Sequence, residues 1–79
     1  MPNLSDRLVK LQTDGNYLKK DIANAIGVSV MAYYRYEQGT REPSASVIIA
    51  LANFFGVSTD YLLGLTDDPR RMLTEDKNV

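Results

Sequence analysis

Lys19, Lys20, Arg35 and Arg41 place four cations between residues 17 and 41, against only Asp21 and Glu37, and the chemistry open to such a set is the holding of anions. The rest of the chain has a different balance. Residues 1–16 are neutral, with Arg7 and Lys10 against Asp6 and Asp14. Residues 42–79 set Arg70, Arg71 and Lys77 against Glu42, Asp60, Asp67, Asp68, Glu75 and Asp76, for a net −3. The overall charge of −1 therefore conceals a basic stretch followed by an acidic one. Covalent chemistry has little to work with. The chain has no cysteine and no histidine, which removes the thiolate and imidazole that most often serve as metal ligand, nucleophile or general base. The scattered carboxylates form no recognisable acid-base pair. No enzyme activity, metal or cofactor is expected, and no small-molecule ligand is evident.

The elements that must position these cations follow from apolar spacing. Ile22 and Ile26 stand four apart, Val28 follows, and Tyr33 and Tyr36 continue a helical stripe, so two short helices meet at a corner. Gly27 falls where the first must stop and can enter the left-handed conformation that closes a helix. Ser29 sits where the second needs an N-cap, and Ala23 is small where the crossing helices come closest. The corner reads as a helix-turn-helix, with helices over about Lys19–Ile26 and Val30–Gln38. Around it, Leu4, Leu8 and Leu11 predict a first helix over about Leu4–Thr13, stopped by Asp14-Gly15-Asn16. Thr40-Arg41-Glu42-Pro43 reads as a loop, since proline turns the residue before it away from helical geometry. Ser44 caps a fourth helix over about Ala45–Phe55, and Ser58 a fifth that runs to about Leu63. Gly56 and Gly64 end them. The second helix alone lacks a polar cap, with Leu18 in that place.

These pieces resemble, in order and without insertions, the lambda-repressor-like (Cro and Xre type) helix-turn-helix family. The matching residues are Leu8-Val9-Lys10-Leu11, Asp21-Ile22-Ala23, Ile26-Gly27-Val28-Ser29 and Arg35 through Ser44. Leu51-Ala52, Phe55-Gly56-Val57-Ser58 and Asp60 through Gly64 complete the set. The resemblance spans about residues 4 to 65. It implies an all-α, compact five-helix bundle whose third helix enters the DNA major groove, in a homodimer on a two-fold double-stranded operator. The role it implies is a bacterial or phage repressor that occupies an operator.

Carried over position by position, the resemblance puts Val30, Met31, Tyr34 and Arg35 at base-reading positions, with Arg35 suited to a bidentate contact with guanine. The family often carries polar residues at the first two, so Val30 and Met31 point instead to thymine methyl groups. Lys19, Lys20, Ser29, Thr40 and Arg41 fall at phosphate-binding places, which hold register and carry no sequence code. Ala23, Gly27, Val28, Tyr33, Tyr36 and Glu37 build the motif. Family members often pair an arginine at position 12 with the glutamate at 37; here Gln12 leaves Glu37 with Gln12, Arg35 or Arg41 as partners.

The fourth helix carries more apolar surface than one stripe requires, and Phe54 with Tyr61 or Leu65 offers a dimer interface. Residues 1–65 read as the helix-turn-helix domain and 66–79 as a polar tail or linker, in which Met72 and Leu73 can add a last helical turn. The opening residues hold no basic region followed by an apolar block, and the longest apolar run is far below the roughly 20 residues of a membrane span. The expectation is a cytoplasmic protein with no membrane partner. The resemblance also leaves an antitoxin that binds a toxin and its own operator, and the acidic net charge with apolar Val30 and Met31 fits a protein-interaction module with weak DNA affinity.

Overall fold

A computed structural model describes residues 3–71 and, among them, five α-helices and no strand: α1 (Leu4–Asp14), α2 (Lys19–Ile26), α3 (Val30–Gln38), α4 (Ala45–Phe55) and α5 (Thr59–Leu62). Four of the five starts are capped by a polar side chain. Ser29, Ser44 and Ser58 accept from the backbone N–H of Ala32, Val47 and Tyr61. Asn3 forms a reciprocal box with Asp6, each side chain accepting from the other's N–H, at 3.0 and 3.1 Å. At α2, Leu18 offers no side-chain bond, as its type requires.

The ends follow a similar logic, with one shift. Gly27 is left-handed at φ +78 and its N–H bonds back to Ala23 and Asn24. A Cβ added there would meet nothing within 4 Å, so only the backbone strain of a left-handed L-residue opposes it. Gly27→Ala is therefore expected to lower the stability by about 1–2 kcal/mol in urea titration, with Gly27→Asn losing less. After α1 the left-handed residue is Asn16, at φ 56, whereas Gly15 stays right-handed at φ −86. Gly15 answers to space: a Cβ there would overlap the Tyr17 ring.

Each helix contributes one side chain with no exposure at all: Leu8, Ile22, Tyr33, Leu51 and Leu62. These meet at the centre, where α1 packs on α3 and α5, α2 on α3 and α4, and α4 on α5. Burying one such side chain is worth about 1.5–3 kcal/mol, so these five anchor the bundle. Smaller residues fill the crossings, with Ala23, Ala32 and Ala52 buried where helices approach.

The segment after α5, read from the sequence as the start of a tail, lies against the bundle as far as Arg71. Ser58 donates its N–H to the Pro69 carbonyl at 3.0 Å. Arg7 reaches Asp67 at 2.8 Å and the Thr66 carbonyl at 3.2 Å, and Arg71 reaches Asn53 at 2.6 Å. The extra turn expected at Met72 and Leu73 lies outside the described residues. No helix among them is long and apolar enough to cross a membrane.

Candidate nucleic-acid interface

Helix α3 divides cleanly by face. Val30, Met31, Tyr34 and Arg35 are exposed, while Ala32, Tyr33, Tyr36 and Glu37 are buried, an alternation set by the 3.6-residue turn. The exposed set includes three large apolar or aromatic groups, at 47, 55 and 43% for Val30, Met31 and Tyr34. Together they give the outer face of α3 an apolar character, with Arg35 as its one charge. The Gln38 amide donates to the Tyr34 hydroxyl at 2.9 Å, which holds that ring on the outer face.

The turn that presents α3 is tied back to α2. Val28 donates to the Ala23 carbonyl at 3.0 Å and packs half-buried against the core, while Ala23 is buried at the crossing. The Ser29 hydroxyl is occupied as acceptor for Ala32 and keeps its own proton to donate. Past α3, the Thr40 backbone donates to the Arg35 carbonyl at 3.1 Å, so the loop carrying Thr40 and Arg41 starts from a fixed point. Lys20, Ser29, Thr40 and Arg41 are all exposed beside the outer face of α3 or at the helix ends that flank it.

Two of the expected roles change. Glu37 takes none of the three expected partners, Gln12, Arg35 or Arg41: Lys19 Nζ donates to its Oε1 at 2.6 Å. The Gln12 oxygen lies 3.5 Å from the same ammonium, and the Gln12 amide donates to the Tyr17 carbonyl at 2.7 Å. The cause is reach: Lys19 opens α2 directly beside the last turn of α3, where its long stem spans the gap. The Glu37 side chain is 6% exposed and that of Lys19 38%. The Tyr33 hydroxyl faces the Glu37 carboxylate without reaching hydrogen-bond geometry, and burial first, then that carboxylate, push the phenol well above its ordinary range.

The second change concerns the apolar surface of α4 and α5. Tyr61, expected at a dimer interface, is buried, because the Arg7 guanidinium lies 4.0 Å from its ring centroid and the 66–71 segment ties Arg7 down. Phe54 is half-buried in a three-ring cluster with Tyr17 and Phe55, at centroid distances of 5.1 and 5.1 Å. Leu65 is 70% exposed. Arg7 and Tyr17 were missed by sequence reasoning, although Arg7 stands three and four residues from Leu4 and Leu11, on the buried stripe of α1. That position was the available signal. For Tyr17 there was none beyond an aromatic residue in a loop.

A helix-turn-helix family model matches residues 13–62, which takes in the corner, both its helices and α4. The chain belongs to the helix-turn-helix family. It is similar to the HTH-type transcriptional regulator YobD of Bacillus subtilis, 36% identical over 63 residues, covering 80% of this chain and 56% of that protein. It is also similar to the cryptic phage CTXphi transcriptional repressor RstR of Vibrio cholerae, 34% identical over 53 residues, covering 67% and 48%. The chain thus spans about half the length of these helix-turn-helix relatives. Among solved structures, the P22 c2 repressor in complex with a synthetic operator superposes with a TM-score of 0.75 at 24% identity, over 80% of this chain and 96% of that one. A transcriptional regulator from Listeria innocua gives 0.77 at 23%, over 95% and 70%. At those identities the likeness is one of fold. It agrees with the expected all-α, five-helix, lambda-repressor-like architecture.

Proposed function

We propose that this helix-turn-helix protein is a sequence-specific DNA-binding transcriptional regulator that acts in the cytoplasm as a repressor, by occupying an operator. The observation that carries the reading is the division of α3, whose outer face is given over to Val30, Met31, Tyr34 and Arg35 while its inner face fills the core. An α-helix fits the roughly 12 Å wide major groove, and such a face is what it presents to base edges. Arg35 takes guanine, Val30 and Met31 touch thymine methyls, and Tyr34 packs on the groove wall. Lys20, Ser29, Thr40 and Arg41 meet phosphates on either side. The relatives named as transcriptional regulators and a repressor, and the operator complex of the P22 protein, support this direction. A homodimer on a two-fold site fits it as well, with Leu65 and Phe54 at the contact.

Selection from random duplexes tests it. Recovered sites are expected to carry thymines opposite the start of α3 and a guanine within reach of Arg35. Arg35→Ala should weaken binding to the recovered site about tenfold, one bidentate contact being worth about 1–3 kcal/mol, and relax the choice at that guanine. No enrichment over the starting pool, with no salt-dependent binding, would refute the reading and leave a protein-interaction module.

A further inference from the structure

Lys19 occupies the first position of α2, where a helix offers its unpaired N–H groups and the positive end of its dipole, and its neighbour Lys20 is exposed there. Yet the Lys19 ammonium points inward. It bonds Glu37, one residue from the end of α3, at 2.6 Å, and lies 3.5 Å from Gln12 near the end of α1. Gln12 in turn holds the Tyr17 carbonyl at 2.7 Å, in the loop that leads into α2. One ammonium therefore joins three helices at the place where the orientation of α3 is decided.

The carboxylate it serves has no second cation bonded to it among the described residues. Glu37 is almost fully enclosed, its second oxygen has no hydrogen-bond partner, and the neighbouring Tyr33 hydroxyl is not bonded to it. A phosphate that drew Lys19 away would strand a buried anion, whereas Lys20, exposed at the same helix end, would meet a phosphate without that cost. Resting on the DNA-binding reading above, we infer that Lys19 is a positioning residue: through Glu37 it sets the angle of α3 against α2, and it is not one of the cations that neutralise DNA phosphates.

The two roles leave different traces in salt. A phosphate contact contributes about 0.9 to the slope of log affinity against log salt, and a positioning residue contributes nothing to it. The experiment measures binding of the full chain to a duplex recovered by selection and to a mixed-sequence duplex, by fluorescence anisotropy over a salt series, at a temperature where circular dichroism shows every variant folded. Lys20→Gln is expected to lower the slope by about 0.9 on both duplexes. Lys19→Gln is expected to keep the slope, lose about tenfold on the selected duplex and change little on the mixed one, because a misaligned α3 loses base contacts first.

Gln12→Arg combined with Lys19→Gln returns a cation to Glu37 from the α1 side and should recover most of that loss. A slope lowered by about 0.9 in Lys19→Gln, or no recovery in the double variant, would overturn the inference while leaving DNA binding intact. Should Lys19→Gln fail to fold, the double variant carries the test by itself: wild-type slope and selectivity support the inference, and a lowered slope overturns it. Absence of salt-dependent binding by the unmodified chain would overturn the functional reading and this inference together.

Discussion

Tyr33→Ala is expected to lower the unfolding free energy by about 3–5 kcal/mol, the range for truncating a fully buried aromatic side chain. Tyr33 is the largest of the five side chains with no exposure, and it stands where α3 meets the rest of the bundle. For a 79-residue domain the whole stability is about 4–12 kcal/mol, so this one cavity removes a large share of it. Tyr33→Phe separates the ring from the hydroxyl. That hydroxyl has no hydrogen-bond partner, so its removal should stay within about 1 kcal/mol of wild type. Urea titrations of both variants check the pair: a Tyr33→Phe loss close to that of Tyr33→Ala would show that the hydroxyl, not the ring, holds the helix.

The second large effect is electrostatic. Lys19→Met removes the only side chain that bonds the Glu37 carboxylate among the described residues, and leaves a buried anion unpaired. Breaking a fully buried pair costs about 3–5 kcal/mol; with Lys19 partly in water, about 2 kcal/mol is expected here, or roughly 8–16 °C in Tm. The sign of the pair's own contribution is a separate matter, because desolvation offsets much of the Coulomb attraction. Adding Glu37→Leu to Lys19→Met should therefore recover most of the loss. Thermal melts of the single and double variants test this. Equal melting temperatures for Lys19→Met and wild type would mean that the carboxylate is hydrated in spite of its burial.

The faces of α3 in the candidate interface were legible in the order of residues alone. The periodicity that put Tyr33 and Tyr36 inward and Tyr34 and Arg35 outward holds because side-chain direction on a helix is settled within a turn or two. The corner at Gly27 and the serine caps were legible for a similar reason, since each is a bond between residues two to four apart. Glu37 was legible as a tie within the motif, but its partner was not. Lys19 is 18 positions away, while Arg35 and Arg41 stand within four residues of Glu37 and the family resemblance pointed to position 12. Tyr61 failed as an interface residue for a like cause, because the cover over it comes from Arg7 and from Asp67, 60 positions beyond Arg7.

The amino-acid sequence by itself determined the helices, their ends, which face of each is apolar, and the family. These depend on backbone hydrogen bonding and 3.6-residue spacing, which act over a few neighbouring residues. The tertiary structure decided which charge meets which, that Tyr17 joins Phe54 and Phe55, and that the 66–71 segment lies on the bundle. Long side chains choose partners by proximity in space. That proximity exists only once α1, α2 and α3 have crossed, and it set the Lys19 ammonium against the Glu37 carboxylate, a pair that the linear order of residues did not suggest.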